Sequence, residues 1–355
     1  MRLCRESEPT HDHDGLRTDP LSRQRRRRAA VRGPSGHRPG PRDSAGGPPG
    51  EAGLAPEAAL RWTTTAGDSA RSLILPAWAG NGYGYGCKII NASLGNDRHG
   101  LPRAAGLIVL NDPETAQPVC VMEGGRISAL RTAGVSTAAV RAVCGREGIE
   151  SVVFLGCGRQ ARVHHELLTS LFPAVGEVLL YDHDTLRAEE FADAVRAAHP
   201  QVAVTVVDHA REAVERARLT IAVTTTTKPY VELDWLPAGG IFVNVSLDDA
   251  AESLLLGCDH LFVDDWNLVA ADEHRLLGAL ARAGLVSGPG EPAPTGGRAV
   301  DAELPDLLCG SIPRPIGEHD RTVVNPFGMG VHDIALASAV YARAIDTGAG
   351  ITLPR

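Results

Sequence analysis

The 355-residue chain lacks the sequence signatures of several protein classes. None of its seven cysteines belongs to a Cys-x-x-Cys pair, and no His/Cys spacing is typical of a zinc site. No run of about 18 apolar residues is present to span a membrane, and the N-terminus has no apolar core of a secretory signal. The net charge of −8 argues against a nucleic-acid partner. We therefore expect a cytoplasmic protein without a metal, membrane or nucleic-acid partner.

The first 50 residues contain few side chains that could form a hydrophobic core. They hold eleven arginines, seven glycines and seven prolines, and a net charge of +5 against −13 for the remainder. This composition predicts a disordered tail over residues 1–55. One alternative is a non-native stretch translated from a shifted reading frame. Another is a nucleic-acid or localisation patch formed by the four arginines at 25–28.

The stretch Ser151–Asp184 has the pattern of a dinucleotide-binding unit. A hydrophobic strand, Ser-Val-Val-Phe-Leu, runs into a Gly-x-Gly-x-x-Ala turn, and a helix and a second strand follow. Gly156 allows the tight turn, Gly158 lets backbone amides approach a diphosphate, and Ala161 lets the helix pack closely on the strand. The diphosphate would lie at the helix N-terminus, where amides and the helix dipole favour an anion. The alternative is a glycine turn without a ligand.

The second strand of this unit ends in Asp182, where an acid accepts hydrogen bonds from the adenosine ribose hydroxyls. Its charge would repel a 2′-phosphate, so we expect NAD rather than NADP. The residues expected to bind the cofactor in this unit are Gly156, Gly158, Arg159, Gln160, Ala161 and Asp182.

The pattern of strands and helices divides the rest of the chain into two sheets. Strand patterns at 72–76, 87–91, 106–111 and 118–124 predict a mostly antiparallel sheet before the glycine turn. The pattern from 151 to 264 alternates strands and helices, which is typical of a doubly wound parallel sheet. A long helix over 127–143 would join the two, and a strand at 321–325 with a helix at 333–345 would return to the first domain.

Several motifs resemble those of one known family over residues 60–354. They are Gly-Cys-Lys-Ile-Ile-Asn at 86–91, Gly-Leu-Pro-Arg at 100–103, Asn-Asp-Pro-Glu-Thr at 111–115, Met-Glu-Gly at 122–124, Ser-Ala-Leu-Arg-Thr-Ala at 128–133 and the glycine turn with His164. In this order they resemble the ornithine cyclodeaminase and mu-crystallin family.

The resemblance implies a homodimer that binds NAD and a small amino-acid substrate. The fold would be a Rossmann-type doubly wound parallel sheet over 131–314, with a smaller, mostly antiparallel α+β domain for substrate and dimerisation over 56–130 and 315–355. Members of the family oxidise the Cα–N bond of an amino acid or reduce the corresponding imine. Such chemistry needs a cation for the α-carboxylate and a group that exchanges protons.

The resemblance also assigns roles to particular residues. Arg131 matches the arginine that binds the substrate carboxylate, and Arg61 is placed as a second one. Lys88 and Asp249 match the catalytic lysine and aspartate, and the alternative for Asp249 is a helix N-cap. Thr225 and Thr226 match the segment beside the cofactor's adenine and ribose, and their alternative is a turn after a strand.

The reaction is chosen from what the sequence lacks within that family. Ornithine cyclodeaminases carry a glutamate on the strand before the lysine, whereas the corresponding strand here is Leu-Ile-Leu-Pro at 73–76. The Ser-Leu-Asp-Asp loop at 246–249 resembles instead the siderophore- and antibiotic-pathway branch, which cleaves N-(2-amino-2-carboxyethyl)-L-glutamate to 2,3-diaminopropionate and 2-oxoglutarate. Ornithine or lysine cyclodeamination to proline or pipecolate is one alternative. A non-catalytic NAD(P)H-binding protein of the mu-crystallin kind is the other.

Overall fold

A computed structural model describes residues 52–80, 84–145 and 148–353 of the chain. The tail expected over residues 1–55 lies almost wholly outside the described residues. No helix among the described residues is long and apolar enough to cross a bilayer.

The first part of the described chain folds into a six-stranded antiparallel sheet. Its strands are β1 (Gly53–Leu54), β2 (Ala58–Thr63), β3 (Ser69–Trp78), β4 (Tyr85–Ser93), β5 (Ala104–Asn111) and β6 (Pro118–Glu123). The order is β1-β3-β4-β5-β6, and β2 also pairs with β3. Side chains alternate between the two faces of each strand, so one face packs on the core and the other is open.

Two long helices cover the packed face of this sheet. Helix α1 (Gly125–Cys144) leads from β6 to the second sheet, and helix α9 (Gly330–Thr347) packs on β3, β4 and β5. Ile108 and Leu110 of the sheet form a core with Ile127 of α1 and Ile334 of α9. The C-terminal helix therefore belongs to the core of the antiparallel layer.

The second sheet has eight parallel strands in the order β15-β12-β16-β11-β10-β7-β8-β9. Their bounds are β7 (Ser151–Leu155), β8 (Glu177–Tyr181), β9 (Ala203–Val206), β10 (Leu219–Ala222), β11 (Ile241–Asn244), β12 (His260–Val263), β15 (Ala302–Glu303) and β16 (Thr322–Asn325). A separate pair, β13 (Val286–Ser287) and β14 (Arg298–Ala299), is also parallel. The central strands are buried along their whole length, as expected for a parallel sheet covered on both faces.

Helices lie on both faces of the parallel sheet. They are α2 (Arg159–Leu171), α3 (Thr185–Ala198), α4 (Ala210–Arg216), α5 (Glu252–Gly257), α6 (Trp266–Ala271), α7 (Leu276–Arg282) and α8 (Leu304–Leu308). Two hydrophobic clusters, one on each face, fix them to the sheet. The doubly wound parallel sheet with a smaller antiparallel domain, expected from the sequence, is confirmed.

One expected placement is wrong. The strand at 321–325 is expected in the first domain, but β16 lies in the parallel sheet between β11 and β12. All four of its residues are buried, which suits a strand with neighbours on both sides. Only the helix that follows, α9, returns to the first sheet.

Candidate active site

A cavity of about 540 Å³ opens between the two sheets. One wall is the packed face of β3 and β4, and α1 contributes Ser128 and Arg131. The opposite wall consists of the loops 223–227, 245–247 and 326–328, which directly follow β10, β11 and β16. Ligands of open parallel sheets bind beyond the carboxyl ends of the strands, so the cavity lies where a ligand is expected.

Lys88 is the most deeply buried cation of the cavity. It lies on β4 opposite Leu75 and Ile108, on the packed face, and its side chain is only 2% exposed. Its Nζ donates to Asp333 Oδ2 at 2.5 Å and to Ser128 Oγ at 3.3 Å. A lysine in such a place is held by directed hydrogen bonds, since an unpaired buried charge would be costly.

Asp333 joins Lys88 to Arg131. Its second oxygen, Oδ1, accepts from Arg131 Nε at 3.2 Å, and the carboxylate is fully buried at the start of α9. The sequence reasoning missed this residue. One signal was available: Asp333 lies on the same helical face as the buried Ile334 and Ala337, where an acid is expected only if it has a partner.

One carboxylate between two cations leaves the group with a positive charge that a substrate carboxylate can neutralise. Arg131 suits that task because its planar guanidinium can bind a carboxylate through two parallel hydrogen bonds. Asp333 engages Nε, so other guanidinium nitrogens face the cavity that Arg131 lines.

The protonation state of Lys88 is set mainly by burial. Desolvation and the like charge of Arg131 lower its pKa to about 8, against the opposing effect of Asp333. At pH 7, Lys88 is then a neutral amine in about a tenth of the protein molecules, and in that form it can accept a proton. Glu57 also lines the cavity and was also missed from the sequence. Burial raises the pKa of its carboxyl group, and the positive charges of Lys88 and Arg131 oppose this effect.

The glycine turn after β7 has the geometry of an anion site. Gly156 adopts φ +90°, and a Cβ there would approach Val223 O to 3.0 Å, so only glycine fits. Gly158 precedes α2 in an extended conformation, and no side chain caps the helix. The first amides of α2 are therefore available for a diphosphate.

The remaining expected cofactor residues surround this turn. Ala161 is fully buried against the sheet, Gln160 lines the cavity, and Arg159 is exposed on the first turn of α2. Asp182 Oδ2 accepts from Cys157 N–H at 2.7 Å, and Oδ1 accepts from Asp184 N–H at 3.0 Å. A carboxylate has about four lone-pair sites, so these bonds leave Asp182 able to accept further hydrogen bonds.

Thr225 and Thr226 line the cavity in the loop that follows β10. The Thr226 N–H donates to Thr224 Oγ1 at 3.1 Å, which closes the loop on itself. Thr224 also lines the cavity.

Asp249, expected as a catalytic residue, is not among the residues that line the cavity. Its carboxylate is fully buried and accepts hydrogen bonds from Thr224 Oγ1 at 2.7 Å, from Ser246 Oγ and from the hydroxyl of Tyr230. Thr224 and Ser246 do line the cavity. Asp249 therefore holds the hydroxyl groups of Thr224 and Ser246, two residues of the cavity wall, in place.

Arg61 is likewise not part of the cavity wall. It lies on β2, all of whose residues are exposed, opposite Arg71 of β3. Arg71, Arg103 and Arg275 do line the cavity. The structure thus brings Arg71, Arg103 and Arg275 to the cavity and leaves Arg61 on an exposed strand.

The described residues contain no group of three or more His, Cys, Asp or Glu side chains that could hold a metal ion.

Comparisons with known proteins agree with this architecture. Residues 57–348 match the model of the ornithine cyclodeaminase/mu-crystallin family. The N-((2S)-2-amino-2-carboxyethyl)-L-glutamate dehydrogenase of Staphylococcus aureus is 30% identical over 80% of this chain and 82% of that protein. The crystal structure of CmnK is 35% identical, with a TM-score of 0.76 over 85% of this chain and 88% of that one. An archaeal alanine dehydrogenase dimer with bound NAD has a TM-score of 0.71 at 24% identity, over 86% and 89% of the two chains, which shows the fold alone.

Proposed function

The chain belongs to the ornithine cyclodeaminase/mu-crystallin family, and from that premise we propose that its cavity binds NAD beside N-(2-amino-2-carboxyethyl)-L-glutamate and oxidises it. The family and the relatives show that the chain is an NAD-dependent enzyme that acts on amino acids, as a dehydrogenase, a reductase or a cyclodeaminase. The observation that supports an amino acid is the group of Lys88, Arg131 and Asp333 on the cavity wall. It offers one cation for an α-carboxylate and one amine of lowered pKa beside it.

The choice of substrate is supported by the packed face of β3, which forms part of the cavity wall. Leu73 and Leu75 of β3 line the cavity, where the ornithine-specific members carry a glutamate on the equivalent strand. Strand β3 therefore supplies no carboxylate to a distal ammonium group at these two positions. The relative from Staphylococcus aureus, whose name states this substrate, points the same way.

The residues of the chain would divide the reaction between them. Arg131 binds the α-carboxylate of the glutamate part, and Asp333 keeps Arg131 and Lys88 in place. The substrate nitrogen must lose its proton before a hydride can leave the glutamate Cα, and the neutral amine of Lys88 accepts that proton. Water then adds to the C=N carbon, the bond from that carbon to nitrogen breaks, and 2-oxoglutarate and 2,3-diaminopropionate are released.

The glycine turn fits the cofactor. Its uncapped α2 N-terminus takes a diphosphate, and Asp182 stands beside it to accept from ribose hydroxyls and to repel a 2′-phosphate. NAD, when bound, supplies the acceptor for the hydride. The cavity wall also includes Thr225, Thr226 and Gln160, which we place between the glycine turn and the pair Lys88 and Arg131.

Glu57 leaves ornithine cyclodeamination as a second candidate. It is an acid in the cavity that lies near Lys88 and Arg131, and it can bind an ammonium group. Both substrates carry a primary amine, so Glu57 fits either of them. The two reactions differ in their redox balance, since conversion of ornithine to proline and ammonia consumes no net oxidant.

We also propose a homodimer formed through the antiparallel sheet. The face opposite Lys88, here called the outer face, carries the exposed apolar residues Leu60, Ile74, Leu107 and Val121. Apolar side chains on neighbouring strands form a contiguous patch, which is typical of an interface. A second copy of this chain is the proposed occupant, as in the archaeal relative that forms a dimer.

The test uses purified protein with NAD and either substrate. With N-(2-amino-2-carboxyethyl)-L-glutamate we expect NADH and 2-oxoglutarate in equal amounts, measured by absorbance and mass spectrometry. Release of proline and ammonia from ornithine without net NADH, together with no NADH from the first substrate, would replace the proposal by the second candidate. Arg131→Gln should raise KM for the active substrate and leave NAD binding unchanged.

A further inference from the structure

The cavity wall holds more positive charge than an amino acid with one carboxylate requires. Five cationic side chains line it, namely Arg71, Lys88, Arg103, Arg131 and Arg275. Lys88 and Arg131 share Asp333, and Arg275 is paired with Asp248. Within the described residues, neither Arg71 nor Arg103 has a side-chain hydrogen bond or an ion pair with a carboxylate. Arg71 is half-buried and Arg103 is exposed, and neither guanidinium group has a counter-ion among the described residues.

The two unpaired arginines are neighbours at one end of the cavity. Arg71 lies on the packed face of β3, in a row with Ala92 of β4 and Ala104 of β5. Arg103 immediately precedes Ala104, and its carbonyl accepts from Ser93 N–H at 3.1 Å. Arg103 thus lies just outside β5, one residue before the row that contains Arg71, and both side chains line the cavity.

The electrostatics also indicate that these arginines lie close together. Burial lowers the pKa of Arg71, and the like charges of Arg275, Arg103 and Arg61 lower it further. Burial and Arg275 lower the pKa of Arg103. Repulsion among cations that are partly removed from water raises the free energy of the empty cavity, and an anion bound between them would relieve it.

The distance to the reacting end suits a substrate of moderate length. Lys88 and Ala92 are four residues apart on β4, which corresponds to roughly 13 Å of strand. Long side chains reach into the cavity from both ends of this span, and Leu73 and Leu75 line the stretch between. An amino acid with a second carboxylate a few carbons from its α-carboxylate spans the remaining gap.

We propose that Arg71 and Arg103 form a distal carboxylate subsite that selects amino acids with at least one carboxylate beyond the α-carboxylate. This inference rests on the proposed function, because it takes the Arg131 end as the site of the α-carboxylate. The subsite accepts the γ-carboxylate of a glutamate moiety or the carboxylate of a diaminopropionate moiety. It disfavours ornithine and lysine, whose side chains end in a cation.

A pair of matched keto acids tests the subsite without turnover. 2-Oxoglutarate and 2-oxopentanoate have the same chain length and differ only in the distal carboxylate, so their ratio of dissociation constants reports on that group alone. The ratio is measured by calorimetry on the NADH-loaded full chain at constant ionic strength. We expect the wild type to prefer 2-oxoglutarate, and Arg71→Gln and Arg103→Gln each to reduce this preference roughly 10- to 100-fold, as for a charged hydrogen bond.

The control variant is Arg98→Gln, which removes an exposed arginine of the same domain that pairs with Asp68. It should keep the wild-type preference. Arg71→Lys should retain part of it, because the charge remains while the planar fork is lost. If either Gln variant fails to fold, the other carries the test.

The outcomes separate the subsite from the proposed reaction. A wild type that prefers 2-oxoglutarate, with variants that lose the preference, supports the subsite even if N-(2-amino-2-carboxyethyl)-L-glutamate is not oxidised. Variants that bind both keto acids as the wild type does, or lose both equally, overturn the subsite even if that substrate is oxidised.

Discussion

Replacing Asp333 by asparagine should change the pH at which the enzyme becomes active. Asp333 both attracts the charge of Lys88 and accepts its hydrogen bond, and each effect raises the pKa of that lysine. The substitution keeps the size of the side chain and removes the charge. The pKa of Lys88 should therefore fall below its wild-type value of about 8.

The magnitude follows from the geometry. Two unit charges a few ångströms apart interact by about 4 kcal/mol at an effective dielectric constant of 20. Since one pKa unit corresponds to about 1.4 kcal/mol, the pKa of Lys88 should fall by up to about 3 units. In the wild type, kcat/KM should rise about fivefold from pH 7 to pH 8 and level off above pH 9, because the neutral amine is the active form. In Asp333→Asn this rise should lie below pH 7.

The assay is the initial rate of NADH formation at low substrate over pH 5 to 10. Asp249→Asn is the control, because it removes a buried carboxylate from the same site without a contact to Lys88. The value of kcat/KM reached at high pH should be lower in Asp249→Asn than in the wild type, but kcat/KM should still rise near pH 8. Titration of the substrate amine affects all three proteins equally. A rise near pH 8 in Asp333→Asn would refute the role given to Lys88 and its pairing.

Three further predictions concern stability, cofactor choice and assembly. Lys88 should make the wild type more stable as pH rises, because the folded pKa of about 8 lies below the unfolded 10.5 and the unfolded chain binds the extra proton between them. The free energy of unfolding in urea should thus gain about 2 kcal/mol from pH 7.5 to 9.5 relative to Lys88→Met, and equal pH dependence in both proteins would contradict this. Asp182→Ala should weaken NAD binding and reduce the preference for NAD over NADP, measured as the ratio of the KM values for the two cofactors. An unchanged ratio would show that Asp182 does not determine the choice of cofactor. Leu107→Arg, on the outer face of the antiparallel sheet, should shift the molar mass in light scattering from dimer to monomer, whereas exposed Leu186→Arg should not.

Local patterns predicted the nucleotide-binding half well. The strand, glycine turn and acid between Ser151 and Asp184 are contiguous in sequence, so the physical requirements of the turn are visible in the residues themselves. The alternation of strands and helices expected from 151 to 264 is also present, with α3 at Thr185–Ala198 as one of the helices. The apolar run at 322–325 was correctly predicted as a strand, but its burial on both faces, which places it in the parallel sheet, depends on neighbours far away in sequence.

The substrate half was less predictable because its contacts are long-range. Lys88 and Asp333 are separated by 245 positions, and no spacing rule relates them. Arg61 and Arg71 are directly opposite on neighbouring strands, and only the tertiary structure decides which of them faces a cavity and which lies on an edge. Asp249 follows a strand end as a ligand-binding acid would, yet three hydroxyl groups engage it from within the fold.

The position of β16 has a consequence for how the protein is made. The ribosome synthesises β11 about eighty residues and β12 about sixty residues before β16, the strand that lies between them in the sheet. Until then the nascent parallel sheet has two unpaired strand edges at its centre, the kind of surface that invites mispairing. The same late segment continues into α9 and carries Asp333 to Lys88 and Arg131. Closure of the sheet and completion of the substrate site are therefore coupled in time, and an incompletely synthesised chain has neither.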